Sequence, residues 1–304
     1  MIDTMRGQNH SAYFGFDSAF LQRLERLSIL NRQPLAGASA GPRRSPRHGA
    51  SVEFADFRTY VSGDDFRRID WKAYARLDRL FLRLYRAEEI TVISILLDHS
   101  VSMQFGNPSK ALTAARLAAI LSYVALHNYD TVAVAGWGDS IDQYFPGQSG
   151  KKAVPRIWQA IARLMEAPAP ATDFASLRTY GKYRRGPGIA VVLSDFLTKS
   201  DWRAGLRSLR AGGQEVAAIQ VLAPDEIDPV LRGDWKLVDA ETGAQTEVTI
   251  SPRVLRRYRQ ALEQHTTAIT EFCRREGISF VQLRSDVDLT GTVLADLRAV
   301  AILE

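Results

Sequence analysis

One cysteine, Cys273, is the whole thiol content of the 304 residues. That excludes an intramolecular disulfide and every multi-cysteine zinc or iron-sulfur site. Its place beside Phe272 in a helical pattern marks a packed thiol rather than a nucleophile. No apolar run approaches the roughly 18–20 residues needed to cross a bilayer, and the N-terminus has acidic, polar and aromatic residues where a signal peptide needs an apolar stretch. The expectation is a soluble, cytoplasmic protein. There is no G-x-x-x-x-G-K-[ST] and no Gly-rich dinucleotide loop, so nucleotide binding is left to a partner. The five histidines are scattered without a His-x-x-x-His or His-Glu pairing, which removes the usual zinc patterns. Spacing alone yields no Ser-His-Asp set either. Negative charge is missing from one interval: between Glu25 and Glu53 there is no acidic residue, while Arg26, Arg32, Arg43, Arg44 and Arg47 all fall inside it. Such a strip suits phosphate, an anionic surface or an acidic partner, or serves only to keep an arm solvated. Without interleaved aromatics it does not form a base-stacking platform.

What is present is a core. Hydrophobic residues make up 46% of the chain, enough for one large domain or a medium domain with an appendage. Three segments follow from the pattern. Residues 1–50 comprise a short amphipathic helix between Phe16 and Asn31, expected to pack on the main body, and a basic Pro/Gly-rich arm from Gln33 to Ala50. Residues 51–89 are dense in both charge and aromatics, which predicts a small β-rich module held by ion pairs and aromatic packing, with Trp71 and Arg76 bracing the fold. Residues 90–304 alternate apolar strands with helices. Strands are predicted at Ile90–Leu97, Thr131–Trp137, Ile141–Phe145, Ile189–Leu193, Glu215–Leu222 and Ser279–Leu283. Trp235–Asp239 and Glu247–Ile250 read as two edge strands around the Thr242-Gly243 turn. Helices are predicted at Lys110–His127, capped by Ser109 with Lys110, Thr113 and Arg116 as its polar stripe, and at Val154–Met165 and Asp201–Arg210. A long helix from Ser251-Pro252 to Glu276 and a last one at Thr290–Leu297 complete the set. The alternation implies an α/β fold with a doubly wound, mainly parallel sheet.

In such sheets ligands collect at the carboxyl ends of the strands. The first core strand ends in Asp98-His99-Ser100-Val101-Ser102, with oxygen side chains at alternate positions. Thr172 follows the Pro-rich loop, and Ser194-Asp195-Phe196 follows the Ile189 strand. Carboxylate and hydroxyl oxygens are hard ligands, so Asp98, Ser100, Ser102, Thr172 and Asp195 form a candidate set for Mg²⁺, or Mn²⁺ or Ca²⁺, that leaves a coordination position for an outside group. The imidazole of His99 is expected to point away from this cluster.

The Asp98, Ser100, Ser102 pattern with Thr172 and Asp195 resembles the metal-ion-dependent adhesion site of von Willebrand factor A domains, a Rossmann-type fold. The resemblance implies that a partner's carboxylate completes the metal shell. A narrower one rests on Glu53-Phe54-Ala55-Asp56-Phe57-Arg58-Thr59-Tyr60, Gly63-Asp64-Asp65, Arg68-Ile69-Asp70-Trp71-Lys72 and Ala75-Arg76, leading through Arg83 and Tyr85 to the Asp98 loop. From about Gly41 to the C-terminus the chain is similar to a bacterial family catalogued as a domain of unknown function, number fifty-eight. Its members are typically encoded beside MoxR-type AAA+ ATPases, which implies such an ATPase as partner and a client protein's carboxylate as ligand. Many relatives begin with two membrane-spanning segments; no such run occurs here.

Rival classes stay in view. Haloacid dehalogenase-like phosphatases also place an aspartate at a strand end, but they need a second aspartate two residues on, where this chain has Ser100. A non-enzymatic binding protein is therefore the expectation. The loop could also be vestigial, with Asp98 accepting backbone N–H bonds. In an anion-binding scaffold the arginine strip would carry the function, and steep salt dependence would reveal it.

Overall fold

The computed structural model describes residues 14–29, 53–61, 64, 66, 69–86, 90–184, 186–289, 295, 297, 302 and 303, with the backbone alone over 53–57 and 83–86. Arg32, Arg43, Arg44 and Arg47, most of the predicted helix at Thr290–Leu297, and Gly63, Asp65 and Arg68 lie outside the described residues.

In chain order the elements are α1 (Ser18–Leu24), β1 (Glu53–Thr59), α2 (Trp71–Leu77), β2 (Phe81–Arg86), β3 (Val92–Asp98), α3 (Lys110–His127), β4 (Thr131–Trp137), β5 (Ile141–Ser149) and α4 (Val154–Glu166), then β6 (Gly188–Ser194), α5 (Trp202–Ala211), β7 (Gln214–Leu222), α6 (Pro224–Ile227), β8 (Gly233–Val238), β9 (Gln245–Ile250), α7 (Pro252–Glu276) and β10 (Ser279–Arg284). They form two compact units, 37–90 and the rest of the chain. The division differs from the three segments read along the sequence, because α1 belongs with the α/β unit: Phe20 and Leu24 are buried there among α3 and α4 side chains.

The smaller unit pairs β1 with β2 in antiparallel register, Thr59 opposite Phe81. It is less β-rich than predicted, since α2 stands between the strands, capped by Asp70 accepting from the amides of Lys72 and Ala73. Trp71 is 61% exposed, and its ring meets Tyr74 edge-on. An aromatic at the first position of a helix faces solvent when the inward side is taken by a small residue, here buried Ala73.

The larger unit is built on a six-stranded sheet in the order β10-β7-β6-β3-β4-β5, parallel except for β5. The four inner parallel strands are mostly β-branched and apolar runs because both faces of the sheet are covered there, whereas the edge strand β10 exposes Gln282 and Arg284. Along β3 the side chains alternate: Ile93, Ile95 and Leu97 join α1, α3 and α4 on one face, and Leu96 joins α5 and α7 on the other. Helix ends are fixed by capping. Ser109 accepts from Leu112 N at the start of α3, Asp201 from Ala204 N at α5 and Ser251 from Val254 N at α7, which Gly277 ends in the left-handed region.

Two predicted features are corrected. Trp235 and Val248 pair in a separate hairpin, β8–β9, and not at the sheet's edge; the exposure of nearly all their neighbours explains it, since an edge strand of this sheet would have one covered face. The polar stripe of α3 is not a solvent face: Lys110 and Thr113 are buried, because Lys110 has carboxylate partners inside and Thr113 donates to Ser285 O at 2.6 Å. Among the described residues no helix is long and apolar enough to cross a membrane.

Asp130, in the turn between α3 and β4, accepts from Thr91 N at 3.1 Å. Burial pushes its carboxyl up to about 6, against the amide bond that lowers it. A carboxyl whose folded pKa is raised favours the fold most below its unfolded value of 3.8, and that advantage is lost as pH rises to about 6. Asp130→Asn keeps the acceptor and cannot ionise. It should therefore stabilise the protein by about 1–2 kcal/mol at pH 8, after allowance for partial exposure, and by nothing at pH 4. Chemical denaturation at the two pH values checks this; a benefit equal at both would assign it to something other than charge.

Candidate metal centre

Successive crossovers leave the sheet in opposite directions between β3 and β6. The chain after β3 runs through α3 on one face to β4, and after β6 through α5 on the other face to β7. This is a topological switch point, where the strand ends open a crevice. Asp98 ends β3, and Ser194-Asp195 ends its neighbour β6.

Asp98 is fully buried. Its Oδ1 accepts from Ser100 N at 3.0 Å and from Thr172 Oγ1 at 3.1 Å, and its Oδ2 accepts from Ser194 Oγ at 2.6 Å. Burial, and then the charge of Asp195, push its carboxyl up to about 6 against these hydrogen bonds. Ser100 Oγ lies 3.0 Å from Ser102 Oγ, which lies 3.5 Å from Asp195 Oδ2. The five predicted residues thus converge, although Thr172 and Asp195 stand far from Asp98 in sequence.

Backbone ties bring them together. Ser100 and Ala169 form an isolated parallel bridge, with Val101 N donating to Ala169 O and Ala169 N to His99 O, so the Pro-rich loop is stitched to the Asp98 loop. Beyond it a 3-10 segment, Phe174–Lys182, which periodicity did not predict, is anchored by Asp173 N and Ser176 Oγ, both donating to Gly138 O. A side chain at 138 would not fit, since a Cβ there would stand 2.5 Å from Ala169 Cβ. On the β6 side Phe196 holds a φ of 58°, an uncommon conformation for a bulky residue, while Phe196 N and Leu197 N donate to Ser194 Oγ and Asp195 Oδ1. The His99 ring faces Trp137 O and Asp142 Oδ2, away from the hydroxyl cluster.

Four residues at or beside the site escaped the sequence reading as parts of it. Ser194 was visible only as a neighbour of Asp195. Lys110, buried, places Nζ 2.5 Å from Asp195 Oδ2 and 2.6 Å from Glu226 Oε1. Burial acts to lower the Lys110 pKa, but the two carboxylates outweigh it and the net shift is upward. Glu226 is fixed in turn by accepting from Ala223 N at 2.8 Å. The remaining carboxylate is Glu241, in the turn between β8 and β9, whose carboxyl is raised by burial against the influence of Ser102 and the Thr172 backbone, which act to lower it.

Among the described residues no group of three His, Cys, Asp or Glu is placed to hold a metal. The donor set here is different, two carboxylates with three hydroxyls, which suits a hard cation that retains water. Ser102 Oγ has one proton and lies within reach of both Ser100 Oγ and Asp195 Oδ2. A ring of oxygens short of protons fits a cation.

The family model described as "Protein of unknown function DUF58" matches residues 56–268. The chain belongs to the DUF58 family. It is 28% identical over 276 residues to uncharacterized proteins of Mycobacterium tuberculosis and Mycobacterium bovis, covering 90% of this chain and 87% of theirs. An uncharacterized Mycobacterium avium protein is 32% identical over 148 residues, 47% of this chain and 85% of that one. Among solved structures, this DUF58 chain is similar to the conserved hypothetical protein BatB from Bacteroides thetaiotaomicron, at 15% identity over 69% of this chain and 98% of that one, with a TM-score of 0.41.

Proposed function

We propose that this DUF58 protein is a von Willebrand factor A-like interaction protein that grips a partner carboxylate through a divalent cation and catalyses no reaction, with a MoxR-type AAA+ ATPase as its partner. The observation that carries the reading is the convergence of Asp98, Ser100, Ser102, Thr172 and Asp195 at the switch point of the sheet. Asp98, Ser100 and Ser102 would hold Mg²⁺, or Mn²⁺ or Ca²⁺, with Thr172 and Asp195 completing the protein's share. The cation would supply a positive charge and an open position for a carboxylate. The ATPase is proposed from the resemblance set out above.

A second reading has its own observation. Lys110 already gives Asp195 a positive partner at 2.5 Å, so the site could be complete without a metal, with its carboxylates serving the fold. Calorimetric titration of Mg²⁺, Mn²⁺ and Ca²⁺ separates the two. The first reading expects one cation bound per chain, lost in Ser100→Ala/Ser102→Ala while the melting temperature in EDTA changes little, and capture of the ATPase abolished by EDTA. Capture unchanged by EDTA and weakened steeply by salt would sink it in favour of the arginine-rich arm.

A further inference from the structure

Beside the Asp98 loop three carboxylates share a single ammonium. Lys110 Nζ stands 2.5 Å from Asp195 Oδ2 and 2.6 Å from Glu226 Oε1, and little of any of the three side chains reaches solvent. Asp98, fully buried, is met by a backbone amide and two hydroxyls, and among the described residues no basic side chain is ion-paired with it. Lys110 is the first residue of α3, where the positive end of the helix dipole disfavours a cation. Its carboxylate partners hold it there. Glu226 is fixed independently: it lies in α6, its second oxygen accepts from Ala223 N at 2.8 Å, and the Tyr258 hydroxyl donates to its backbone carbonyl at 2.6 Å. Lys110 therefore cancels the charge of one carboxylate only. Asp98, Asp195 and Glu226 against Lys110 leave two negative charges in a place largely closed to water, and such a surplus needs a compensating charge.

We infer that Lys110 and Glu226 are specificity-determining residues of the cation site, which together set its charge so that one divalent ion neutralises it. The inference rests on the cation-binding reading above. Neither residue has to touch the ion, because a unit charge in a site of low dielectric is felt over several ångströms. With Lys110 alone, Asp98 and Asp195 would keep one surplus charge, the match for a monovalent ion, and Glu226 supplies the second. Without Lys110 the three carboxylates would match a trivalent ion. Capping of α6 does not account for the charge at 226, since the bond from Ala223 N asks only for an oxygen, which glutamine also has.

Mn²⁺ and Tb³⁺ serve as probes, titrated by calorimetry at pH 8 into the full chain and its variants. Glu226→Gln removes one negative charge and should weaken Mn²⁺ binding by at least about tenfold. Lys110→Met removes the positive charge and should tighten it by a similar factor, with Tb³⁺ gaining more than Mn²⁺. Lys110→Met/Glu226→Gln restores the net charge and should bring both affinities back to within about threefold of the wild type's. Equal Mn²⁺ affinity in the wild type and Glu226→Gln, or a double variant as weak as Glu226→Gln, would overturn the inference while leaving the cation site standing. No Mn²⁺ bound to the wild type would remove the cation reading and the inference with it. Circular dichroism checks that each variant is folded; if Lys110→Met is not, Glu226→Gln and the double variant still decide.

Discussion

Lys110→Met should cost about 3–5 kcal/mol of folding stability in EDTA at neutral pH, the loss that follows when one partner leaves a buried ion pair. Methionine fills much of the same volume, so little of the loss would come from a cavity. What changes is charge. The lysine is 1% exposed between side chains that are 3% and 15% exposed, and without its ammonium Asp195 and Glu226 face each other across a low-dielectric gap. Glu226→Gln added to Lys110→Met should recover part of the loss, since one of the two stranded charges is then gone. Mg²⁺ should recover part by another route, by bringing positive charge to Asp195. The variant's melting temperature should therefore rise more with Mg²⁺ than the wild type's. Urea denaturation with and without Mg²⁺ measures both effects. A loss below about 1 kcal/mol would mean that the carboxylates reach solvent unaided.

That lysine also marks where reading the sequence stopped. The strands of the large unit were legible because burial on both faces leaves few polar positions in runs such as Val92–Leu97, where Ser94 alone interrupts the apolar residues, and the helix starts at Ser109 and Ser251 because capping is local chemistry. The alternate oxygens of Asp98, Ser100 and Ser102 are local too, and strand-end logic reached Thr172 and Asp195. Lys110 offers no such signal. A lysine in the first turn of an amphipathic helix reads as solvated, and its partners lie 85 and 116 positions away. Glu241 escaped for the same reason: its Thr242-Gly243 turn was legible, but where the turn lands depends on the path of the chain between β7 and α7. The 3-10 segment after Thr172 has no regular period to detect, and the exposed Trp71 looked like core because composition alone carries no direction.

Asp98→Asn should separate function from stability. In the metal-free protein the buried Asp98 carboxyl is raised to about 6 by burial and by Asp195, against an unfolded value of 3.8. Its contribution to stability is therefore greatest below pH 3.8 and falls as pH rises toward 6, so that above about 6 the ionised side chain is a standing cost. Asparagine removes that cost. It also presents an amide NH₂ to a pocket of donors, Ser100 N, Thr172 Oγ1 and Ser194 Oγ, and one hydroxyl must turn to accept. The balance should leave Asp98→Asn more stable than the wild type by about 1–2 kcal/mol at pH 8 in EDTA, and less so at pH 4. With Mg²⁺ the order should reverse. Ligand at about 100 times its dissociation constant adds about 2.7 kcal/mol to a protein that binds it, and the variant lacks the charge to do so. Crossing stability curves of this kind are expected when a buried carboxylate is kept for a ligand rather than for the fold. If the variant were less stable than the wild type in EDTA at pH 8, Asp98 would be a structural cap for its own loop. If the variant kept the Mg²⁺ shift, the cation would sit elsewhere.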